Sequence, residues 1–328
     1  GNTFVDNVTG IRKGTAADVT NLTVSGNTFS QGIHGMTVYA AEDGSGAFDG
    51  VTMDGNSFSQ MSEKGMYFEQ LSNAAFSGNS FDDVGNYGRV APPFGPAGQD
   101  GDFGGAIDIN LKYEAYENVV FTDTTITNSG HSDQDGAGET SSFGAAVGVK
   151  IRDDGSYSAT PASFTGSITF DGLSIDGTST GVRVGEPGKD NGGPDVTLSD
   201  VTIANATVVD LDHATDATDG GTTAVTLGAT QADFDASASQ ASVEVTGNAL
   251  ANTIATGSGD DTITGGGGAD AIDGGTGTDT AVYAAELTPA DVTADGEGHW
   301  QVNGGAEGTD TLTGVEVIDH GGEANILL

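Results

Sequence analysis

Short alternations of apolar and polar residues recur along the first two thirds of the chain. NLTVS precedes Gly26, GVTMD precedes Gly55 and NAAFS precedes Gly78. One residue in two is apolar, the period of a strand with one buried face. Each run leads into nearly the same tetrapeptide: GNTF at 26–29, GNSF at 55–58 and GNSF at 78–81, with another GNTF at 1–4. Two copies are followed by a further strand-like run, GMTVYA at 35–40 and GMYFEQ at 65–70. The design continues less regularly in VVFTDTTITNSG (119–130), ITFDGLSIDGTSTGVRV (168–184) and VTLSDVTIANATVVDL (196–211).

The tetrapeptide starts at 1, 26, 55 and 78, steps of 25, 29 and 23 residues. Several short strands per repeat at this period predict one coil of a parallel β-solenoid per repeat. Coils stack about 4.8 Å apart, so equivalent residues form ladders. Phe4, Phe29, Phe58 and Phe81 are expected to stack inside, and Asn2, Asn27, Asn56 and Asn79 to stack at a turn. A β-sandwich also has short strands at close spacing. It gives no reason for one tetrapeptide to return once per repeat.

Residues 1–212 resemble the right-handed parallel β-helix family, which includes pectate lyases, alginate epimerases and surface carbohydrate-binding proteins. The resemblance implies an all-β, right-handed coil. Three expected insertions interrupt it: 86–105, 131–142 and 152–163. An acidic, polar stretch at 213–246 reads as a connecting segment. Around its start, Asp210, Asp212, His213, Asp216 and Asp219 form an acidic hinge, read as a solvated linker ahead of a calcium site.

The next stretch is built differently. TGSGDDTIT (256–264), GGGGADAID (265–273) and GGTGTDTAV (274–282) align in nines, after a degenerate copy GNALANTIA at 247–255. This resembles the calcium-binding nonapeptide of RTX proteins, G-G-x-G-x-D-x-U-x, and implies a short parallel β-roll over 247–283. Calcium takes about six to eight oxygens, and glycine turns can aim backbone carbonyls inward. The metal-binding positions implied are Gly257, Gly259, Asp261, Gly266, Gly268, Asp270, Gly275, Gly277, Asp279 and Asn252. Ile254, Ile263, Ile272 and Ala281 would form a thin core. In RTX rolls a turn shares metal with the turn 18 residues on. Carried over, Asp261 pairs with Asp279 and Asp270 pairs back with Asn252, a weaker site. Forward partners of Asp270 would fall near Leu287 and Thr288, where the pattern has ended. Residues 284–328 are expected to form a small β cap around Trp300, Val315 and Val317, and GTDTLTGVEVID (308–319) resembles the segment that often follows RTX repeats.

Composition narrows the partners. Among 328 residues there are 48 acidic and 9 basic side chains, a formal net charge of −39. Nucleic acid and anionic membranes are poor partners for such a chain, and cations are good ones. There is no cysteine, so no disulfide or thiolate site. No apolar run reaches the length of a membrane-spanning helix. Gly1 opens inside a repeat, and the chain is expected to be a unit of something longer. The RTX resemblance implies bacterial export by type I secretion and folding in extracellular calcium.

A catalytic reading needs acid and base groups on adjacent coils. The densest group is Asp108, Asn110, Lys112, His131, Asp133, Asp135, Lys150, Arg152 and Asp153, with Asp108, Lys112, His131 and Arg152 the foremost candidates. Asp108, Asn110 and Lys112 alternate on one strand face, and Lys150 and Arg152 do the same. The Asp-Pro-His signature of alginate epimerases is absent, and His34 reads as a turn residue. The leading expectation is a secreted, calcium-stabilised structural or adhesive unit of a bacterial surface protein, stacking end to end. The alternatives are a lyase or epimerase on acidic polysaccharide, or a glycan-binding module using Tyr87, Phe94 and Phe103.

Overall fold

The computed structural model describes residues 1–15, 17–85, 105–130, 145–152, 161–177, 180–185, 194–204, 207–212, 223–229, 231–237, 242–296, 298–321 and 325–328. The described chain is all β, with one 3₁₀ turn at Gly305–Glu307 and no α-helix. None of its helices is long and apolar enough to cross a membrane. The body of each predicted insertion lies outside the described residues, as do His213, Asp216 and Asp219.

Up to Asp212 the coils stack their strands on three faces. Thr23–Ser25, Thr28–Ser30 and His34–Val38 make one coil, and Thr52–Asp54, Ser57–Met61 and Lys64–Phe68 make the next. Like strands pair in parallel, in register. The second face stacks Phe4, Phe29, Phe58 and Phe81, then Ile126, Ile175 and Ile203. The four rings lie 4.7, 4.7 and 4.8 Å apart, stacked nearly parallel. Their separation is the distance between adjacent strands, so ring stacking and backbone pairing reinforce each other. The rings leave no room on the third face: a Cβ at Gly35 would sit 2.4 Å from the Phe58 ring, and one at Gly65 would sit 2.6 Å from Phe81. This accounts for the glycine that opens both GMTVYA and GMYFEQ.

The expected asparagine ladder is present at the turn between the first two faces. Asn27 donates from its backbone N–H and from Nδ2 to Asn56 Oδ1, both at 3.0 Å, and Asn56 does the same to Asn79. The amides also donate to backbone carbonyls: Asn56 to Val24 and Asn79 to Met53. The buried side-chain amides of Asn56 and Asn79 thereby gain partners for both oxygen and nitrogen. The ladder ends at Thr124, which is buried and whose hydroxyl has no partner.

The first face never breaks. Its core ladder runs Val24, Met53, Phe76, Phe121, Phe170, Leu198, Val225, Val245, Ile263, Ala281, Ile318. The segment 213–246, expected to be a connector, supplies Thr223–Leu227, Asp233–Asp235 and the start of Val243–Asn248 to this stack. Its polar average conceals the alternation of Val225, Leu227, Phe234, Val243 and Val245, all buried. From here each coil carries two strands instead of three. Asp233–Asp235, Thr253–Ala255, Ala271–Asp273 and Thr309–Thr313 stack in parallel as the opposite face. The expected cap is thus partly a continuation. Val292–Ala294 and Trp300–Asn303 leave the stack as antiparallel strands before the chain rejoins it, and Ile326–Leu327 then pairs antiparallel with Val317–His320.

Candidate calcium array

The two-strand coils leave tight turns on both edges, and there the glycines and aspartates gather. Gly259, Gly268 and Gly277, the fourth residues of their nonapeptides, have φ of 141°, 124° and 142°. Side chains are excluded there on two counts. The backbone is left-handed, and a Cβ at Gly277 would lie 1.7 Å from the carbonyl oxygen of Gly259 in the coil before. Stacked turns pack backbone on backbone, which fills the edge with carbonyl oxygens.

The sixth residues form a carboxylate ladder on each edge. Asp261 donates its backbone N–H to Asp279 Oδ1 at 2.9 Å, and Asn252 donates to Asp270 Oδ1 at 2.8 Å, each across 18 residues. Val243 in turn donates to Asp261. This is the hydrogen bond of the asparagine ladder, with one difference. An asparagine has an Nδ2 to donate, and an aspartate does not. Asp261, Asp270 and Asp279 are 1%, 2% and 0% exposed, and the Oδ2 of each is buried without a partner. Asn252 behaves like the upstream asparagines and donates to the carbonyls of Gln231 and Ala232 at 3.0 Å.

A cation would satisfy these oxygens. The nonapeptides of Asp270 and Asp279 open with glycines, Gly265 and Gly274, whose missing side chains open the space these two face, whereas Thr256 holds that place before Asp261. A Cβ at Gly265 would stand 2.3 Å from Asp270 Oδ2. One at Gly274 would stand 2.8 Å from Asp279 Oδ2 and 2.3 Å from the Gly314 carbonyl. Carboxylate and carbonyl oxygens around an empty glycine flank are the donor set of a hard cation, and calcium fits. Among the described residues no three acidic or imidazole side chains converge. These turns instead combine one or two carboxylates with backbone oxygen.

Burial raises all of these carboxyls. It is the main cause at Asp261, Asp270 and Asp310. At Asp279 burial comes first and the charges of Asp261, Glu316 and Asp260 add to it, pushing the group up to about 6. A carboxyl raised in the folded state stabilises the fold below its ordinary pKa, and that contribution is lost as pH climbs through the folded value. For Asp279 the window runs from about 4 to about 6. In EDTA, the array is therefore expected to regain protection when the pH falls from about 7.5 to about 5. Excess calcium should abolish the gain. The readout must be local, by hydrogen exchange of residues 243–320, because Asp108 and Glu63 are shifted downward and act in the opposite sense. An array that loses stability in EDTA on the same acidification would contradict the assignment.

The sequence placed no carboxylate opposite Asp270 or Asp279 on the far side, and expected Asp270's forward neighbours near Leu287 and Thr288. The structure puts Asp310 there. Asp270 donates its N–H to Asp310 Oδ1 at 2.8 Å across 40 residues, and Asp279 donates to Glu316 Oε2 at 2.9 Å across 37. The signal was present in GTDTLTGVE, displaced by the excursion that carries Trp300.

The catalytic candidates occupy the outer side of the third face. Gly105–Leu111 and Val147–Ile151 are adjacent strands, with Asn110 opposite Lys150. Asp108 pairs with Lys64, Lys112 Nζ donates to Glu69 Oε1 at 2.6 Å, and Arg152 Nε donates to Asn110 Oδ1 at 2.9 Å. Asp108, Lys112 and Arg152 are buried. The charges of Lys64, Lys150 and Arg152 outweigh burial and hold the Asp108 carboxyl low. His131, Asp133, Asp135 and Asp153, with Tyr87, Phe94 and Phe103, lie outside the described residues. His34 Nε2 sits 2.8 Å from Glu63 Oε2.

Compared with known proteins, residues 246–281 match the family model of the RTX calcium-binding nonapeptide repeat, in four copies. No curated protein and no solved structure matches the chain, so the parallel stack of residues 1–212 rests on its own strand register. What the array and the match establish together is a calcium-binding repeat set into the end of an all-β parallel stack.

Proposed function

We propose that this chain is a secreted, calcium-stabilised solenoid that serves as a structural or adhesive unit of an extracellular or cell-surface protein. RTX repeats are typical of secreted proteins. The observation that carries the reading is the unbroken ladder from Val24 to Ile318, which joins the three-strand coils to the calcium turns in one stack. A stack of this kind transmits load and orients loops, and its calcium end becomes ordered where calcium is plentiful. The net charge of −39 opposes compaction until cations neutralise it.

A second reading, turnover or binding of acidic glycans, has one observation in its favour. Lys64, Lys112, Lys150 and Arg152 gather on one face of a chain with only 9 basic residues. One experiment separates the readings. The calcium-loaded chain is incubated with polygalacturonate and with alginate while absorbance from unsaturated uronate and particle size are followed. The structural reading expects no product, with calcium-dependent growth of particles or retention on a surface. Steady product formation would sink it in favour of a lyase.

A further inference from the structure

We propose that the cation array does not end with its contiguous repeats but closes in two further sites, Asp270 with Asp310 on one edge and Asp279 with Glu316 on the other. Each would take a divalent cation of the calcium type. The proposal rests on the calcium reading of the array and adds what the contiguous repeats cannot supply: carboxylates delivered from beyond an insertion.

Register comes first. Thr309–Thr313 pairs in parallel with Ala271–Asp273, setting Leu312 on Ile272, and Val317–His320 pairs with Thr280–Tyr283, setting Ile318 on Ala281. Gly308 bridges to Gly268. Residues 305–313, GAEGTDTLT, therefore occupy the place of the next nonapeptide and depart from its pattern only at the second position. Gly308 has the backbone of the other fourth-position glycines, φ 108°, and a Cβ there would lie 1.3 Å from the Gly268 carbonyl oxygen.

The hydrogen bonds repeat as well. Asp310 and Glu316 accept the N–H groups of Asp270 and Asp279, as Asp270 and Asp279 accept those of Asn252 and Asp261. The separations grow from 18 residues to 40 and 37 because the antiparallel excursion is inserted between equivalent positions. The last turn is also shortened. Gly314 lies two residues before Glu316, whereas Gly274 lies five before Asp279, yet the pairing of Val317 with Thr280 still sets Glu316 beside Asp279.

A hydrogen-bonded cap without metal would produce the same register. It would not produce the orphan oxygens. The N–H bonds use one oxygen of each acceptor, and Asp270 Oδ2 and Asp279 Oδ2 remain buried and partnerless. Two carboxylates set beside one another on a turn repel unless a cation lies between them. At the Asp279 turn the Gly314 carbonyl reaches the same space from beyond the insertion. Glu316 itself is exposed, which gives this site an open side for the ion's entry. Cations here latch the excursion and the strands around 309–320 onto the array.

The test counts bound calcium on the full chain by equilibrium dialysis with elemental analysis, for the wild type, Asp310→Asn, Glu316→Gln and the double variant. The amides keep the acceptor oxygen, and Asn252 already occupies an equivalent rung, so the fold should survive. The expectation is one ion lost per single substitution and two in the double variant. Hydrogen exchange should accelerate in residues 300–320 while residues 23–84 are unchanged. Equal ion counts across all four proteins would overturn the proposal. A wild type that binds no calcium would instead overturn the calcium reading beneath it. If a variant misfolds, terbium bound to the wild type decides. Emission sensitised by Tyr283, whose phenol lies beside Asp310, should vanish in Tyr283→Phe with the ion count unaltered. No such emission from terbium-saturated wild type would also overturn the proposal.

Discussion

Removing calcium from the folded chain at neutral pH is expected to unfold residues 243–320 and to leave residues 23–84 ordered. The array's core is thin. Ile254, Ile263, Ile272, Ala281, Leu312 and Ile318 are its ladder residues, one per strand. Against them stand glycine turns, which lose more backbone entropy on ordering than any other residue, and buried carboxylates with oxygens that nothing else satisfies. A ligand present at 100 times its dissociation constant stabilises the state that binds it by about 2.7 kcal/mol. Two or three such ions amount to most of the stability of an ordinary domain, roughly 5–15 kcal/mol. The coils around the asparagine ladder have no such debt, because their side-chain amides supply both donor and acceptor. Hydrogen exchange with mass spectrometry, in calcium and in EDTA, reads the two halves separately. Protection that vanishes across 243–320 and persists across 23–84 is the expected pattern. Equal protection of the array in both conditions would mean that packing alone holds it and that calcium is incidental.

The same contrast shows what the sequence could reveal. A tetrapeptide that returns once per coil states its own register, so the phenylalanine and asparagine ladders are readable from GNTF and GNSF alone. The nonapeptides are equally explicit, and the rungs Asp261–Asp279 and Asn252–Asp270 follow from a spacing of 18. The readable signal ends where spacing ceases to be constant. Asp310 and Glu316 belong to the ladder, but an excursion of two antiparallel strands separates them from it, and a search at fixed period finds Leu287 and Thr288 instead. Residues 223–248 were hidden for another reason. Small and polar residues such as those of ASASQAS dominate their average, while the strand signal lies in alternate positions such as Val243 and Val245. For the candidates on the third face, alternation placed Asp108 and Asn110 together. It was silent on Lys64 and Glu69, which reach them from a neighbouring coil.

Phe58→Ala is expected to destabilise the three-strand coils by about 3–5 kcal/mol, the range for a large aromatic removed from a packed core. Phe58 is fully buried and its ring is held on both sides, 4.7 Å from Phe29 and 4.8 Å from Phe81. The site cannot collapse to fill the hole. Gly35 and Gly65, where a Cβ would already crowd the rings, have no side chain to move in, and the rings above and below are fixed by backbone pairing at the coil spacing. In a stack where each coil touches only its neighbours, a weakened rung uncouples the coils on either side of it. Exchange should therefore accelerate around residues 23–84 and stay unchanged in the array. The loss should be the same in calcium and in EDTA, because no carboxylate rung is involved. Phe58→Leu, which keeps most of the volume, should cost markedly less. A loss below about 1 kcal/mol for the alanine variant would mean that the rings do not form a continuous core, and the coil register drawn through Phe4, Phe29, Phe58 and Phe81 would have to be abandoned.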